Sequence, residues 1–334
     1  TDANGYGNFK YAPPTDYLAA CAVNLPEPAV KPAEHFETVL YTGNGSSGRT
    51  VTGVGFQPDH VWIKARNYAS SWVQVDSLRG ATKRFASDMN NAETEQANYC
   101  QSFDADGFTV GSDNHVNGSY NYVSYNWKAG GADSANTDGS INSTVSANVK
   151  AGFSIVNYTG TGSDATVGHG LSKAPEVFMV KSRTNAYNWG VYSNQMPSAD
   201  YALQLNNYNT QSNTWDYWND LDPTSSVFHI GTDNGSNAPG DNFMAYCWHS
   251  VEGYSKIGTY YANYQTDGPF IYTGFRPDYI LTKAFNYNSW WVVFDNARSS
   301  VNPTDHLLAP HTHIAEKGPG EDAYKLDIVS NGFK

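Results

Sequence analysis

The chain has 334 residues, a formal net charge of −12 and a pI near 5.0. That charge argues against binding DNA, RNA or an anionic membrane surface through bulk electrostatics, and no apolar run approaches the roughly 18 residues that a spanning helix needs. Charged residues are 16% of the chain, against about 25% in a typical soluble domain; the deficit is filled by 24 Tyr, 30 Gly and many Asn, Ser and Thr. Aromatic and β-branched residues suit pleated faces, and Gly, Asn and Asp suit turns, so the composition predicts an all-β protein.

Taken in chain order, residues 1–35 carry a pattern of their own and end in a Pro-rich connector, "LPEPAVKP". They read as the last strand or two of an upstream domain plus a linker. No signal peptide is visible, and the first residue is not Met, which fits a processed or partial form.

From residue 36 the sequence repeats itself. Pro58, Pro175 and Pro277 share one frame: six residues on lie Lys64, Lys181 and Lys283, and fourteen on lie Trp72, Trp189 and Trp291. Eighteen on lie Asp76, Ser193 and Asp295, and twenty-one on lie Arg79 and Arg298 in the first and third copies. Upstream, "VLYTGNG" matches "VNYTGTG", with "ANYQTDG" a looser third copy. The second halves also align, one ending in "YVSYNW" at Trp127 and one in "FMAYCW" at Trp248, whereas the third copy reaches only "LDIVSNGFK". A unit missing its partner strand predicts a truncated sequence, because an unpaired edge inside a repeat is a liability.

Alternation of apolar and polar residues predicts that each unit is an antiparallel sandwich or jelly roll, with proline fixing the strand entrance. The organisation is therefore β-repeat 1 over 36–130, a linker over 131–150, β-repeat 2 over 151–252 and an incomplete β-repeat 3 over 253–334. The linker is rich in Gly, Ser, Asn and Ala, although "SINSTVSAN" has the makings of an edge strand. The repeated lysine is read either as a partner for Asp76 or Asp295 or as a solvated edge charge. Trp189 and Trp291 are read as core. Cys21, Cys100 and Cys247, far apart and in apolar runs, are read as buried free thiols rather than disulfide or zinc ligands.

Few constellations carry chemistry. Asp104/Asp106, Asp216/Asp220 and Asp220/Asp222 have the spacing for a glycosidase pair, but they sit in turn signatures. His311 and His313 would place two imidazoles on one strand face, without a third ligand at a recognisable spacing. His169 reads as a turn residue. "SDNHVN" (112–117) and "TDNGSN" (232–237) are turns of a kind that can hold Ca²⁺ through oxygens, the one cofactor in view, though hairpin geometry explains them without metal. Aromatic density beside amides is the best functional hint: Trp215, Tyr217, Trp218 and Asp220 form a candidate glycan platform, rings stacking on sugar faces and polar groups bonding hydroxyls.

The passage "NGYGNFKYAPPTDYLAACAVNLPEPAVKPAEHFETVLYTGNG", with "GFQPDHVWIKAR", "FDADGFTVGSD", "SSVFHIGTD", "YCWHSVEGYSKIG" and "IVSNGFK", resembles structural proteins of marine tailed bacteriophages, including cyanophages. In these a concanavalin-like (SPRY-type) jelly roll is followed by tandem β-rich domains of unknown function, and members continue past "SNGFK". The resemblance implies a virion component, a tail fibre, baseplate appendage or head fibre, on the outer face of the particle. It implies partners among other virion proteins and a host cell-surface glycan or protein, with a homo-oligomer such as a trimer as its assembly. It carries over no catalytic residues. The expectation is a non-enzymatic attachment protein; a polysaccharide depolymerase and a ligand-free spacer or capsid decoration are the alternatives.

Overall fold

In a computed structural model, residues 1–15, 17–19, 29–318, 320 and 324–334 are described, and the protein is almost entirely antiparallel β-structure. Cys21 lies outside the described residues. Unit 1 comprises β1 (Phe36–Thr42), β2 (Arg49–Thr52), β3 (His60–Ala65), β4 (Val73–Asp76), β5 (Lys83–Arg84), β6 (Thr94–Glu95), β7 (Cys100–Asp104), β8 (Gly107–Val110) and β9 (Asn121–Trp127). Its larger sheet runs β1-β9-β3-β4 and faces a smaller one, β2-β8-β7. Unit 2 repeats the plan with β10 (Ser134–Asn136), β11 (Ser143–Asn148), β12 (Phe153–Thr159), β13 (Ala165–Gly168), β14 (Val177–Ser182), β15 (Gly190–Ser193), β16 (Leu203–Gln204), β17 (Val227–Ile230), the one-turn helix α1 (Asn234–Asn237) and β18 (Asn242–Trp248). Its sheets are β10-β11-β12-β18-β14-β15-β16 and β13-β17. Unit 3 holds β19 (Ile271–Tyr272), β20 (Tyr279–Thr282), β21 (Val292–Asp295), β22 (Ile328–Val329) and β23 (Gly332–Phe333), paired as β20-β21 and β19-β23-β22.

The linker expected over 131–150 is corrected: β10 and β11 fall inside it and extend the unit 2 sheet, β11 pairing with β12 from Ser143↔Tyr158 to Asn148↔Phe153. Alternation in "SINSTVSAN" outweighed its small, polar composition, since Val145 turns into the unit 2 core.

Each larger sheet is covered on both faces. In unit 1, Val61, Ile63 and Ala65 point to the unit's own core with Val51, Phe108 and Val110, while Trp62 points the other way. In unit 2, Phe178 and Val180 face Val167, Phe228 and Ile230, while Met179 faces outward from that core. The outward faces of all three units meet in one shared cluster that joins Trp62, Trp72 and Tyr125 of unit 1 to Ile155, Trp189 and Tyr246 of unit 2 and to Trp291, Val293 and Leu308 of unit 3. Three β-sandwiches therefore surround a common core. Cys100 and Cys247 are buried free thiols.

Because the shared cluster couples the units, they should unfold together. Ile155→Ala, in that cluster, should cost about 2–5 kcal/mol and shift the far-UV and near-UV circular dichroism transitions by the same amount in urea, as expected of one cooperative transition.

Candidate functional site: the three inter-unit junctions

The residues that recur at fixed offsets converge where one unit meets the next. Trp72 of unit 1 donates its indole N–H to the Ala309 carbonyl of unit 3 at 3.1 Å; Trp291 of unit 3 donates to Gln204 of unit 2 at 3.0 Å; Trp189 of unit 2 donates to Ala86 of unit 1 at 3.0 Å. The three bonds run in one rotational sense and close a ring. A backbone bond repeats around the ring in the opposite sense: the amides of Glu93, Glu316 and Gln211 donate to the carbonyls of Arg183, Arg66 and Phe285, at 3.0, 2.7 and 3.0 Å. The acceptors are the residues eight positions after the repeat prolines.

Side chains then distinguish the junctions. Where unit 2 meets unit 1, Tyr246 donates its hydroxyl to Asp76 Oδ2 at 2.7 Å, Asp76 pairs with Arg79 at 2.5 Å, and Glu93 bridges Arg79 and Arg183. Where unit 1 meets unit 3, Tyr125 donates to Asp295 Oδ2 at 2.7 Å, Asp295 pairs with Arg298 at 2.6 Å, and Glu316 bridges Arg298 and Arg66. Where unit 3 meets unit 2, all four charged positions change together: Ser193 stands for the aspartate, Met196 for its arginine, Gln211 for the glutamate and Phe285 for the bridging arginine. Met196 packs in the shared cluster, with Phe285 against it. Burial alone would push the Asp76 carboxyl up, but Arg79, Tyr246 and an amide hold it below its ordinary value.

The repeated lysine is neither a partner of Asp76 or Asp295 nor a solvated edge charge. Lys64 and Lys181 are fully buried, because the sixth residue after proline falls on the face turned to the shared core. Lys64 Nζ donates to carbonyls of Ala65 and, across the junction, His313; Lys283 Nζ donates to Ser289 and, across the junction, Tyr208; Lys181 Nζ donates to Ser182 and lies over the Phe85 ring of unit 1. Burial lowers all three, Lys64 and Lys283 to about 8 and Lys181, with Arg79 nearby, to about 7.

The glycan platform read in the sequence is not assembled. Tyr217 and Trp218 are 3% and 1% exposed in the unit 2 core, Trp218 packing on Phe178 and Tyr192 and Tyr217 on Trp218. Trp215 is half-buried against Tyr217, and Asp220 is exposed at a positive φ of 51°. The local run lacked alternation, which concealed its inward rings. The carboxylate pairs are taken up by turns: Asp104 accepts from Ser102 and Thr109, Asp106 from the amides of Gly53 and Gly55, Asp216 from Thr232. Asp222 accepts from Tyr192. His311 and His313 do not share a strand; His311 packs on Trp290, and burial lowers it to about 4. His169 serves its turn, its Nδ1 accepting from the Leu171 amide.

The two Asp/Asn turns are organised by a buried asparagine each. Asn117 donates to Ser46 and Gly111 and accepts from the Asn44 amide; Asn237 donates to Ser163 and Gly231 and accepts from the Thr161 amide. Each clips the Gly-rich turn to the hairpin. Asp113 accepts from His115, and Asp233 caps α1 through Gly235. Among the described residues no group of three or more His, Cys, Asp or Glu is placed to hold a metal, and no helix is long and apolar enough to cross a membrane.

Sequence reasoning placed Trp72, Trp189, Trp291, Asp76 and Asp295 on a common frame but missed Arg66, Arg183, Glu93, Glu316, Tyr125 and Tyr246. The signal was present in "IKAR", "VKSR" and "TKAF", where the residue after the shared Ala or Ser changes only in the third copy. Exposed aromatics gather at the junction of units 2 and 3. Tyr208 and Tyr287 are 54% and 62% exposed, on loops joined by the Ser289 amide to Tyr208 and by the Thr210 amide to Asn288 Oδ1.

Residues 31–334 match the family described as "Domain of unknown function (DUF7483)", and the chain belongs to that family. No curated protein and no solved structure is significantly similar to it.

Two outcomes test the junctions. Asp76→Ala strips Arg79 of its buried partner and should cost about 3–5 kcal/mol in urea unfolding, whereas Ser193→Ala, at the corresponding place in unit 2, should leave the midpoint nearly unchanged. Lys181 has a folded pKa near 7 against about 10.4 unfolded, so the unfolded chain binds the extra proton between those values and the lysine's contribution to stability rises with pH across that window. Lys181→Met should therefore stabilise the protein more at pH 6 than at pH 9, measured as the difference in urea midpoints.

Proposed function

We propose that this protein is a non-enzymatic virion structural component, a tail fibre, baseplate appendage or head fibre, whose β-sandwich units present uncharged loops to a glycan on a host cell surface. The observation that carries the reading is the ring: the residues the sequence repeats, which are the ones an enzyme would hold in a site, are spent on clasping unit to unit. The two aspartates of the repeat frame, Asp76 and Asp295, lie buried against arginines, where no substrate reaches them. The remaining surface is poor in charge and rich in Asn, Ser and Tyr, and it rests on turns clipped by Asn117 and Asn237. A rigid scaffold under variable polar loops is a common arrangement for recognition. The sequence resemblance to phage structural proteins supplies the virion setting.

The glycan contact moves from the Trp215–Asp220 run to Tyr208, Tyr287 and Asn288, where exposed rings stand beside amides. Labelled protein should bind a subset of bacterial surface polysaccharides on an array and release no new reducing ends from them. Tyr287→Ala with Tyr208→Ala should weaken binding by about tenfold or more, the loss of roughly 1.4 kcal/mol. Binding unaffected by the double substitution would remove this surface from the reading. Polysaccharide cleavage would replace attachment by depolymerisation, and absence of any glycan or cell binding would favour a spacer.

A further inference from the structure

Strand β3 opens with an imidazole in a place shaped for a neutral ring. His60 lies two residues before Trp62, so its side chain points to the same face, the one turned to the shared cluster. It is 1% exposed. Its ring centre lies 5.1 Å from that of Trp127 in its own unit and, across the junction, 4.7 Å from Tyr246 and 6.1 Å from Phe153 of unit 2. Both ring nitrogens are buried, and neither has a hydrogen-bond partner among the described residues. At the sibling positions, two residues after the repeat proline, stand Val177 in unit 2 and Tyr279 in unit 3, neither of which becomes a cation.

The charges around His60 are already committed. Asp76, its partner in register on β4, accepts from the Arg79 amide through Oδ1 at 3.0 Å, and from Arg79 Nε and the Tyr246 hydroxyl through Oδ2 at 2.5 and 2.7 Å. Arg79, in the turn after β4, brings a guanidinium to the same place. The other elements packed on the ring offer no charge: β9 supplies Trp127, β12 supplies Phe153 and β18 supplies Tyr246. An imidazolium here would bury two N–H donors without acceptors beside another cation, a costly state. Burial lowers the group, Asp76 raises it and Arg79 lowers it again, and the outcome is about 3 against an ordinary 6.5.

We propose that His60 is an acid-sensitive latch: a proton taken up by its imidazole in mildly acidic solution opens the seam between units 1 and 2 and leaves the other two junctions closed. Opening returns the ring to water, where it accepts a proton at its ordinary value. Between about 3 and 6.5 the open seam therefore binds more protons than the closed one, so closure is favoured at neutral pH and loses ground as pH falls through that window. Lys181, at the same junction, sits near 7 in the closed protein; below 6.5 it is mostly charged in both states and adds little. Asp76, held below its ordinary 3.8, responds only at lower pH. His35, His169, His229 and His311 are also lowered by burial, but none is among the rings and charges around His60. The opening is an excursion of the native state, short of cooperative unfolding, and it is independent of any glycan contact.

The test is hydrogen exchange in the full chain at the Glu93 amide, whose bond to the Arg183 carbonyl closes this junction; the Glu316 and Gln211 amides are its counterparts at the other two. After correction for intrinsic exchange rates, lowering the pH from 6.5 to 5 should raise opening at Glu93 by roughly fifteenfold, the ratio the two protonation equilibria set. His60→Tyr, the residue type of unit 3, and His60→Phe should each remove that rise and leave exchange at Glu316 and Gln211 as in the unsubstituted protein. A measurement on the unsubstituted protein alone stands beside these: the ring-carbon resonance of His60 should keep its neutral position down to about pH 4, because the closed seam holds the imidazole unprotonated. No rise at Glu93, a rise that persists in both variants, an equal loss of protection at all three amides, or a His60 ring that titrates near 6.5 in the folded protein would overturn the inference.

Discussion

An indole N–H bonded to the next unit's backbone carbonyl is the contact on which the rest of the molecule depends. Trp72, Trp189 and Trp291 each sit at the edge of their own sandwich with the ring in the shared cluster and the nitrogen across the boundary. A buried indole left without an acceptor would cost about 1–3 kcal/mol, so each ring fixes both the separation and the rotation of the unit that receives it. Ring burial supplies the attraction, since Trp and Tyr dominate contact energetics, and the bond supplies direction. Three such contacts in one sense leave each unit both holding and held.

That arrangement explains why the larger sheets look unlike ordinary sandwich sheets. A sheet with one wet face alternates apolar and polar residues, but here the second face is also dry. Polar residues at the alternate positions, such as Lys64 and Lys181, must find partners inside. They do so with backbone carbonyls, two of which lie across a junction, His313 for Lys64 and Tyr208 for Lys283, and there a desolvated ammonium becomes a further tie between units. The low overall charge of the chain has the same origin in part, because much of what would be surface in a single sandwich is interface.

The coordinated changes at the junction of units 2 and 3 bear on order. Units 1 and 3 present buried Asp–Arg pairs, and units 1 and 2 present the arginines and tyrosines that complete them. Unit 2 offers Ser193 and Met196, and unit 3 meets them with Phe285. Exchanging units 1 and 3 within the ring would bury a carboxylate or a guanidinium against an apolar side, at a cost of several kcal/mol. The repeated backbone bond is common to every junction, so it gives cohesion without selectivity; the side chains decide which neighbour is accepted.

Much of the fold was legible because repetition announced it: the Pro–Lys–Trp frame located strands β3, β14 and β20, and alternation in "VWI" and "FMV" gave their inward faces. The junctions were less legible. A residue's burial within its own unit follows from periodicity, but burial against a neighbouring unit does not, so Lys64 read either as a partner of Asp76 or as a solvated edge charge. Trp218 was misplaced for the opposite reason, a core ring carried by a segment with no regular period. Comparing copies supplies what periodicity lacks. Where the three units agree, as at the Trp and Lys positions, the constraint is the ring; where one departs at several positions together, as Ser193, Met196, Gln211 and Phe285 do, the constraint is the identity of a particular neighbour. The variable loops that remain, free of both constraints, are where the sequence can change without reopening the ring.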